Sequence, residues 1–299
     1  MSLVRVMRTA AATLTRTVYV DETPTDMAAP PAVTVTRLDG TVVVSGTATK
    51  PGSTTGIYTY TLPGGPTSPG SATWQLDHLD VTWAGSLAGA AVTMVDRVEV
   101  VGGFLFGLAE ARASDPSLAS QTTYPTAALA AARVLVEQEC ELICRQAFVP
   151  RFRRYVTNGT GLRALQLPDP HLRVLRAAKV AWVTGQPLVA LGAGDLANTV
   201  VTDEGVAVRG YNIWPFGTGN VLFEYEYGPD QPPEDLRQAA MARLRYRLNT
   251  NRSGLPSNVS SYTTQEGTFR VMQPGARRTG DPEVDAVYQR YSEPLVGTG

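Results

Sequence analysis

The sequence predicts an α+β protein in which an antiparallel β-sandwich precedes a helical domain, with a β-rich insert between that domain's two main helices. Three observations point there. Apolar residues alternate with period two up to about residue 112, as in half-buried strands. Charge then becomes denser, from 16 charged residues in the first 112 to 37 in the remaining 187. Two stripes of helical period follow, separated by renewed short-strand patterning from Phe148 to Gly228.

The elements follow in chain order. In VTVTRLDGTVVVSGTAT, Val33 and Val35 share a face, Asp39-Gly40 is a hairpin turn signal, and Val42 and Val44 continue beyond it. GIYTYTL alternates Tyr58, Tyr60 and Leu62 with threonines, and LDVTWAG alternates Leu79, Val81 and Trp83 with Asp80 and Thr82. VTMVDRVEVV sets Val92, Met94, Val98 and Val100 against Thr93, Arg97 and Glu99. Such runs, parted by Gly, Pro and Ser turns, indicate a sandwich of immunoglobulin-like architecture. No cysteine pair marks an antibody-type domain.

TTYPTAALAAARVLVEQECELICRQAF predicts a long helix, with Thr123 or Thr126 as cap and Pro125 near the first turn. Leu129, Val136, Cys140 and Ile143 form its apolar stripe, and Glu137, Glu139 and Glu141 fall mostly off it. The insert then reads FVPRFRRYVTNG and GLRALQLPD around an Asn158-Gly159 turn, followed by VLRAAKVAWVTGQPLVAL, GVAVRG and NVLFEYEYG. Pro232 and Pro233 open a second helix on which Leu236, Ala240, Leu244 and Leu248 repeat every four residues. Residues 253–280 read as loop. In TGDPEVDAVYQRY, Asp281 can cap, Pro282 fits the first turn, and Val284, Val287 and Tyr291 make one face. The expected domains are 1–112 (sandwich), 113–252 (helix, insert, helix) and 253–299 (an extended arm with a short helix).

At 299 residues and 43% hydrophobic composition, the chain can bury a sizeable core. A net charge of −1 and a pI near 6.2 exclude a global cationic field for nucleic acid. Of 26 basic residues only Lys50 and Lys179 are lysines. That bias fits GC-rich coding, and it also fits interfaces that use arginine's planar fork. No run approaches a membrane span, and the first twenty residues lack a signal-peptide core. Two cysteines make no disulfide framework, so synthesis in a reducing cytoplasm is expected.

Chemistry is sparse. His78 and His171 lack a partnering nucleophile motif, and no G-x-S-x-G occurs. Cys140 and Cys144 could offer two metal ligands from one helix, but they lie on or beside its apolar stripe, where thiols act as small hydrophobes. GAGD at 192–195 and GTGNV at 217–221 fall short of a dinucleotide fingerprint and read as hairpin turns. Three N-x-S/T triplets matter only after secretion, and no carboxylate pair stands out. The expectation is no enzyme, no catalytic residues, no cofactor and no metal.

One local charge signal remains. Arg237, Arg243, Arg245 and Arg247 surround the stripe of the second helix, and Arg151, Arg153 and Arg154 form a basic knot at the insert's first strand. Either group is a solvated face or a contact surface for an acidic protein neighbour or passing DNA. These seven are the candidate inter-subunit or partner contacts.

The order of parts carries a resemblance. A long helix ending in ICRQAFVPR, an insert with LQLPD and GVAVRG, NVLFEYEYGPDQPPEDLRQAAMARLRYRL leading into the second helix, and a closing TGDPEVDAVYQRY together resemble the head-to-tail adaptor (head-completion connector) proteins of long-tailed bacteriophages. The likeness covers roughly residues 105–292. Its strongest pieces are the Tyr-x-x-Gly to Pro-Pro junction with its helix and the TGDPEVDAV ending. The N-terminal sandwich departs from the smallest adaptors and resembles decoration-type domains.

The resemblance implies a virion structural protein of the neck, made in the host bacterial cytoplasm. It implies a homo-oligomeric ring, twelve copies in this family, between the portal protein and a head-tail stopper or tail-completion protein. That ring lines the channel through which dsDNA leaves, and no membrane is involved. Near-neutral charge suits such a wall, since a cationic one would hold DNA by its phosphates. Reversing Arg243 and Arg247 to Glu is then expected to spare the fold and impair docking. The alternative is a carbohydrate- or surface-binding sandwich, with Trp74, Trp83 and Tyr60 as an aromatic platform.

Overall fold

A computed structural model describes residues 3–8, 10–63, 75–183, 185–250, 261–264, 267–270 and 279–292. The chain is α+β. Its strands and helices run β1 (Leu3–Met7), β2 (Ala12–Thr17), β3 (Tyr19–Val20), β4 (Thr23–Pro24), β5 (Ala32–Arg37), β6 (Val42–Thr47), β7 (Ile57–Leu62), β8 (Asp77–Leu87), β9 (Ala90–Val101), α1 (Leu108–Ser114) and α2 (Thr126–Cys144). Then come β10 (Arg151–Gly159), β11 (Ala164–Gln166), β12 (Leu172–Val180), β13 (Val189–Ala190), α3 (Ala193–Ala197), β14 (Thr199–Val201), β15 (Val206–Arg209), β16 (Gly217–Tyr227), α4 (Glu234–Thr250), β17 (Ser261–Thr264), β18 (Gly267–Arg270) and α5 (Pro282–Arg290). By contacts they form two compact units, one of Met1–Gly102 with Pro150–Tyr227, the other of Gly103–Val149 with Gly228–Gly299.

In the first unit, β1-β9-β8-β5-β6 make one sheet and β2-β7 another. Both contribute to one core, where Val33, Val35, Leu79, Val81, Trp83, Val98 and Val100 meet Leu14, Tyr58 and Leu62. Burial of each large aliphatic side chain there contributes about 2 kcal/mol. The expected alternation is therefore present, and the β5–β6 turn falls at Asp39-Gly40, where Gly40 takes φ +87° and Asp39 Oδ1 accepts the Thr41 N–H. One pairing departs from the antiparallel expectation, since β1 runs parallel to β9. A parallel partner requires a long connection, and the chain between residues 7 and 90 supplies it. Arg16 on β2 reaches Asp96 on β9 at 2.6 Å, tying the two sheets. Trp83 is fully buried, which removes it from any binding platform; Trp74 lies outside the described residues.

The insert belongs to the same unit. Its strands form β10-β16-β12-β13 and β11-β15-β14, all antiparallel. Phe223, Tyr225 and Tyr227 are buried on β16, with Trp214 edge-on to Phe223 at 4.8 Å between ring centroids. Three expected turns are something else. Asn158-Gly159 ends β10, with Asn158 Oδ1 accepting the Gly219 N–H and Gly159 N–H donating to Asn220 Oδ1. Gly159 is required there because a Cβ would stand 1.7 Å from the Pro215 carbonyl oxygen. GAGD becomes most of the single turn α3, started at Gly192, and GTGNV is the first stretch of β16.

The second unit buries the α2 stripe against Leu236, Ala240 and Leu244 of α4 and Val284 and Tyr288 of α5. Pro125, not a threonine, is the N-cap of α2; Thr126 is its first helical residue, and no side chain caps it. α2 ends on Arg145 in the left-handed region. The long-helix glutamates differ from expectation at one place. Glu137 is fully buried and accepts the Leu105 N–H at 2.8 Å, anchoring the chain that enters the unit. Asp281 caps α5 through the Glu283 and Val284 N–H groups, and Pro282 starts it, as expected. Within 253–280 the hairpin β17–β18 replaces part of the expected loop. The rest of that stretch lies outside the described residues, apart from Thr279 and Gly280.

Candidate functional site

The arginines of α4 project from a helix whose other side is core, so their surroundings are set by α1, α2 and the turn after α1. Arg243 is the most enclosed. Its Nε and Nη2 donate to both Glu139 carboxylate oxygens on α2, at 2.8 and 2.7 Å. That Glu139 hydrogen bond raises the guanidinium pKa, against the pull of burial. Arg247 lies 3.9 Å from the same carboxylate, and Arg245 3.8 Å from Asp115. Arg237 pairs with Glu110 at 3.3 Å and with Glu234 one turn earlier. Reversing Arg243 would set two carboxylates face to face inside the helical unit. The sequence expectation that this change spares the fold is corrected on that ground.

The knot on β10 is also engaged. Arg151 is 1% exposed, with Nε 3.5 Å from Glu99 of β9. Glu99 also accepts from Arg5 of β1 at 2.7 Å and has His78 of β8 3.9 Å away. Burial pushes the Glu99 carboxyl up, but His78, Arg151 and Arg5 outweigh it and hold the pKa at about 2. Arg153 pairs with buried Asp169 at 3.1 Å, and Tyr225 donates to that same carboxylate at 2.6 Å. Arg154 lies 3.6 Å from Glu224 across the β10–β16 pair. The two basic groups thus sit in different compact units, each neutralised locally.

Beside Arg154, a cavity of about 210 Å³ is lined by Arg37, Asp39, Asp77, Phe152, Arg176 and Glu224, among others. Arg37 pairs with Asp77 at 3.1 Å, and Arg176 pairs with Glu226 while donating to the Leu76 carbonyl at 2.5 Å. Burial raises the Asp77 carboxyl, with Arg37 pulling the other way. Its arginines have carboxylate partners, which makes it an ion-paired crease with little capacity to bind an anion.

The remaining candidates have partners of their own. His171 pairs with Asp203 at 2.8 Å and stands edge-exposed before β12. Cys140 and Cys144 are buried in the helical core, with Cys144 Sγ donating to the Tyr288 carbonyl. The neighbouring thiol and burial push the Cys140 thiol up. Among the described residues, no group of three or more His, Cys, Asp or Glu is placed to hold a metal ion, and no helix is long and apolar enough to cross a membrane.

Two exposed apolar surfaces escaped the charge-led reading. At one end of the insert, Leu162, Trp182 and Phe216 are exposed, Phe216 by 81%. Asn220 gathers their loops, its side-chain amide donating to the Ala181 and Pro215 carbonyls, and Trp214 N–H donates to the Leu162 carbonyl. The signal was legible: segments 155–162, 180–194 and 210–222 contain no charged residue. The second surface is the outward side of α2, where Leu135 and Leu142 are exposed, Leu142 by 79%.

No family model matches the chain, and no curated protein matches it. Among solved structures, it is similar to a chain of the "Neck of empty GTA particle computed with C6 symmetry", at 14% identity and TM-score 0.41, over 65% of this chain and 93% of that one. It is similar to a chain of the "Virion of native gene transfer agent (GTA) particle" at 15% identity and TM-score 0.45, over 65% and 93%. A chain of the "Neck of native GTA particle computed with C12 symmetry" gives 15%, 0.40, 66% and 97%.

Proposed function

We propose that this chain is a virion structural protein of the neck, a head-to-tail adaptor that forms a ring between the portal protein and a stopper or tail-completion protein. In this reading the ring holds twelve copies and lines the channel through which dsDNA leaves. The observation that carries it is the helical unit. Segments 103–149 and 228–292, far apart in sequence and the two that bear most of the adaptor-like motifs, close into one core of α2, α4 and α5, with the β-rich insert between them in the chain. The arginines singled out in the sequence are held in ion pairs, an arrangement suited to a structural ring component. Residues 1–112 are read as an immunoglobulin-like module of the decoration type, 113–252 as the adaptor core and 253–299 as an extended C-terminal arm with a short helix. Arg237, Arg245 and Arg247, the more exposed arginines of α4, are the proposed contacts to neighbours.

Antibody labelling of tailed particles that carry this chain tests the assignment. Label at the single head–tail vertex is the expected result. Label spread over the shell or the tail fibres would overturn it.

A further inference from the structure

The two apolar surfaces carry an inference that rests on the ring reading and makes it specific. A contiguous apolar face left exposed on a helix marks a site of protein contact. α2 buries Leu129, Val136, Cys140 and Ile143 within its own unit, yet its opposite side shows Ala128, Ala131, Leu135, Gln138 and Leu142 in a 3-4-3-4 spacing with no charge among them. α4 offers the contrast, since its outward side carries Gln238 and Arg245. The insert end is a second uncovered apolar surface among the described residues, and it projects large side chains where α2 offers a shallow face of alanines between leucines.

A closed ring needs two different surfaces on each subunit that fit one another. We propose that Leu162, Trp182 and Phe216 at the insert end of one copy pack on the Leu135–Leu142 face of α2 in the next. The partner is a second copy of this chain because the chain itself supplies both halves. Neither half has the charge to favour nucleic acid or an acidic protein. With Tyr211 and Ile213 on the same loop, the insert end exposes roughly 600 Å² of apolar side chain, taking aromatics at about 150–250 Å² each. A stable interface uses about 800 Å² per partner.

Cross-linking with a short bis-maleimide tests this on the full chain, whose own two cysteines are buried. The double variant Phe216→Cys with Leu142→Cys should give a ladder of covalent oligomers, while either single variant gives no more dimer than the wild type. Dimers from Phe216→Cys alone, or from Leu142→Cys alone, would mean that like surfaces meet and would overturn the pairing. Phe216→Glu and Leu142→Glu should each weaken association at least tenfold with an unchanged melting curve. Native mass measurement over a concentration series separates the two readings. Oligomers that give no ladder sink the pairing and leave the ring standing, whereas a single copy at every concentration sinks the ring and the pairing with it.

Discussion

Glu99 is a carboxylate almost out of water among Arg5, Arg151 and His78. It joins Arg5 and Arg151, 94 and 52 residues away along the chain, so its charge holds the sandwich and the insert's first strand in one unit. With its pKa depressed from 4.5 to about 2, its contribution is complete above pH 4.5 and is lost as pH falls through 2. Linkage puts that contribution on the order of 3 kcal/mol. Urea unfolding of the first unit should show stability dropping across that window. Glu99→Gln should be less stable by about 3 kcal/mol at neutral pH, because two buried guanidinium groups lose their counter-charge, and should lack most of the acid-dependent loss. Arg243 makes the parallel case in the helical unit. Arg243→Ala should lower stability by about 1–3 kcal/mol through its two charge-assisted hydrogen bonds to Glu139. Arg245→Ala, at a largely exposed side chain, should stay within about 0.5 kcal/mol and is the cleaner probe of assembly. Thermal melts of both variants check the difference.

At the scale of elements, the parts set by local chemistry were legible in the sequence. Asp39-Gly40 makes its turn, Val33 and Val35 share a buried face, the α2 and α4 stripes pack as spaced, and Asp281-Pro282 starts α5. What escaped was decided by distant partners. Asn158-Gly159 reads as a turn until Asn220, sixty-one residues on, accepts the Gly159 N–H. Glu137 reads as surface until the Leu105 N–H, thirty-two residues earlier, needs an acceptor. The parallel β1–β9 pairing likewise has no local signal. Of the seven candidate arginines, sequence found the positions but not their carboxylates, which, apart from Glu234 beside Arg237, come from other elements; the uncharged insert segments were visible and went unread. Two substitutions test this level. Leu244→Ala, in the α2–α4–α5 core, should cost about 2–5 kcal/mol. Asp281→Ala should cost about 1 kcal/mol by leaving the first N–H groups of α5 uncapped. Chemical denaturation of each variant reads both.

At the scale of the whole molecule, the architecture fits the proposed structural role. Among the described residues, ion pairs cross from strand to strand and from helix to helix, both thiols are packed away, and apolar side chains stand exposed at the insert end and on α2, where they suit contact with other protein. Electron microscopy of the full chain, alone at high concentration and with portal protein, tests the ring most directly. A closed ring of one fixed rotational order is the predicted result. A chain that stays a single copy under both conditions, and never joins the portal, would contradict it.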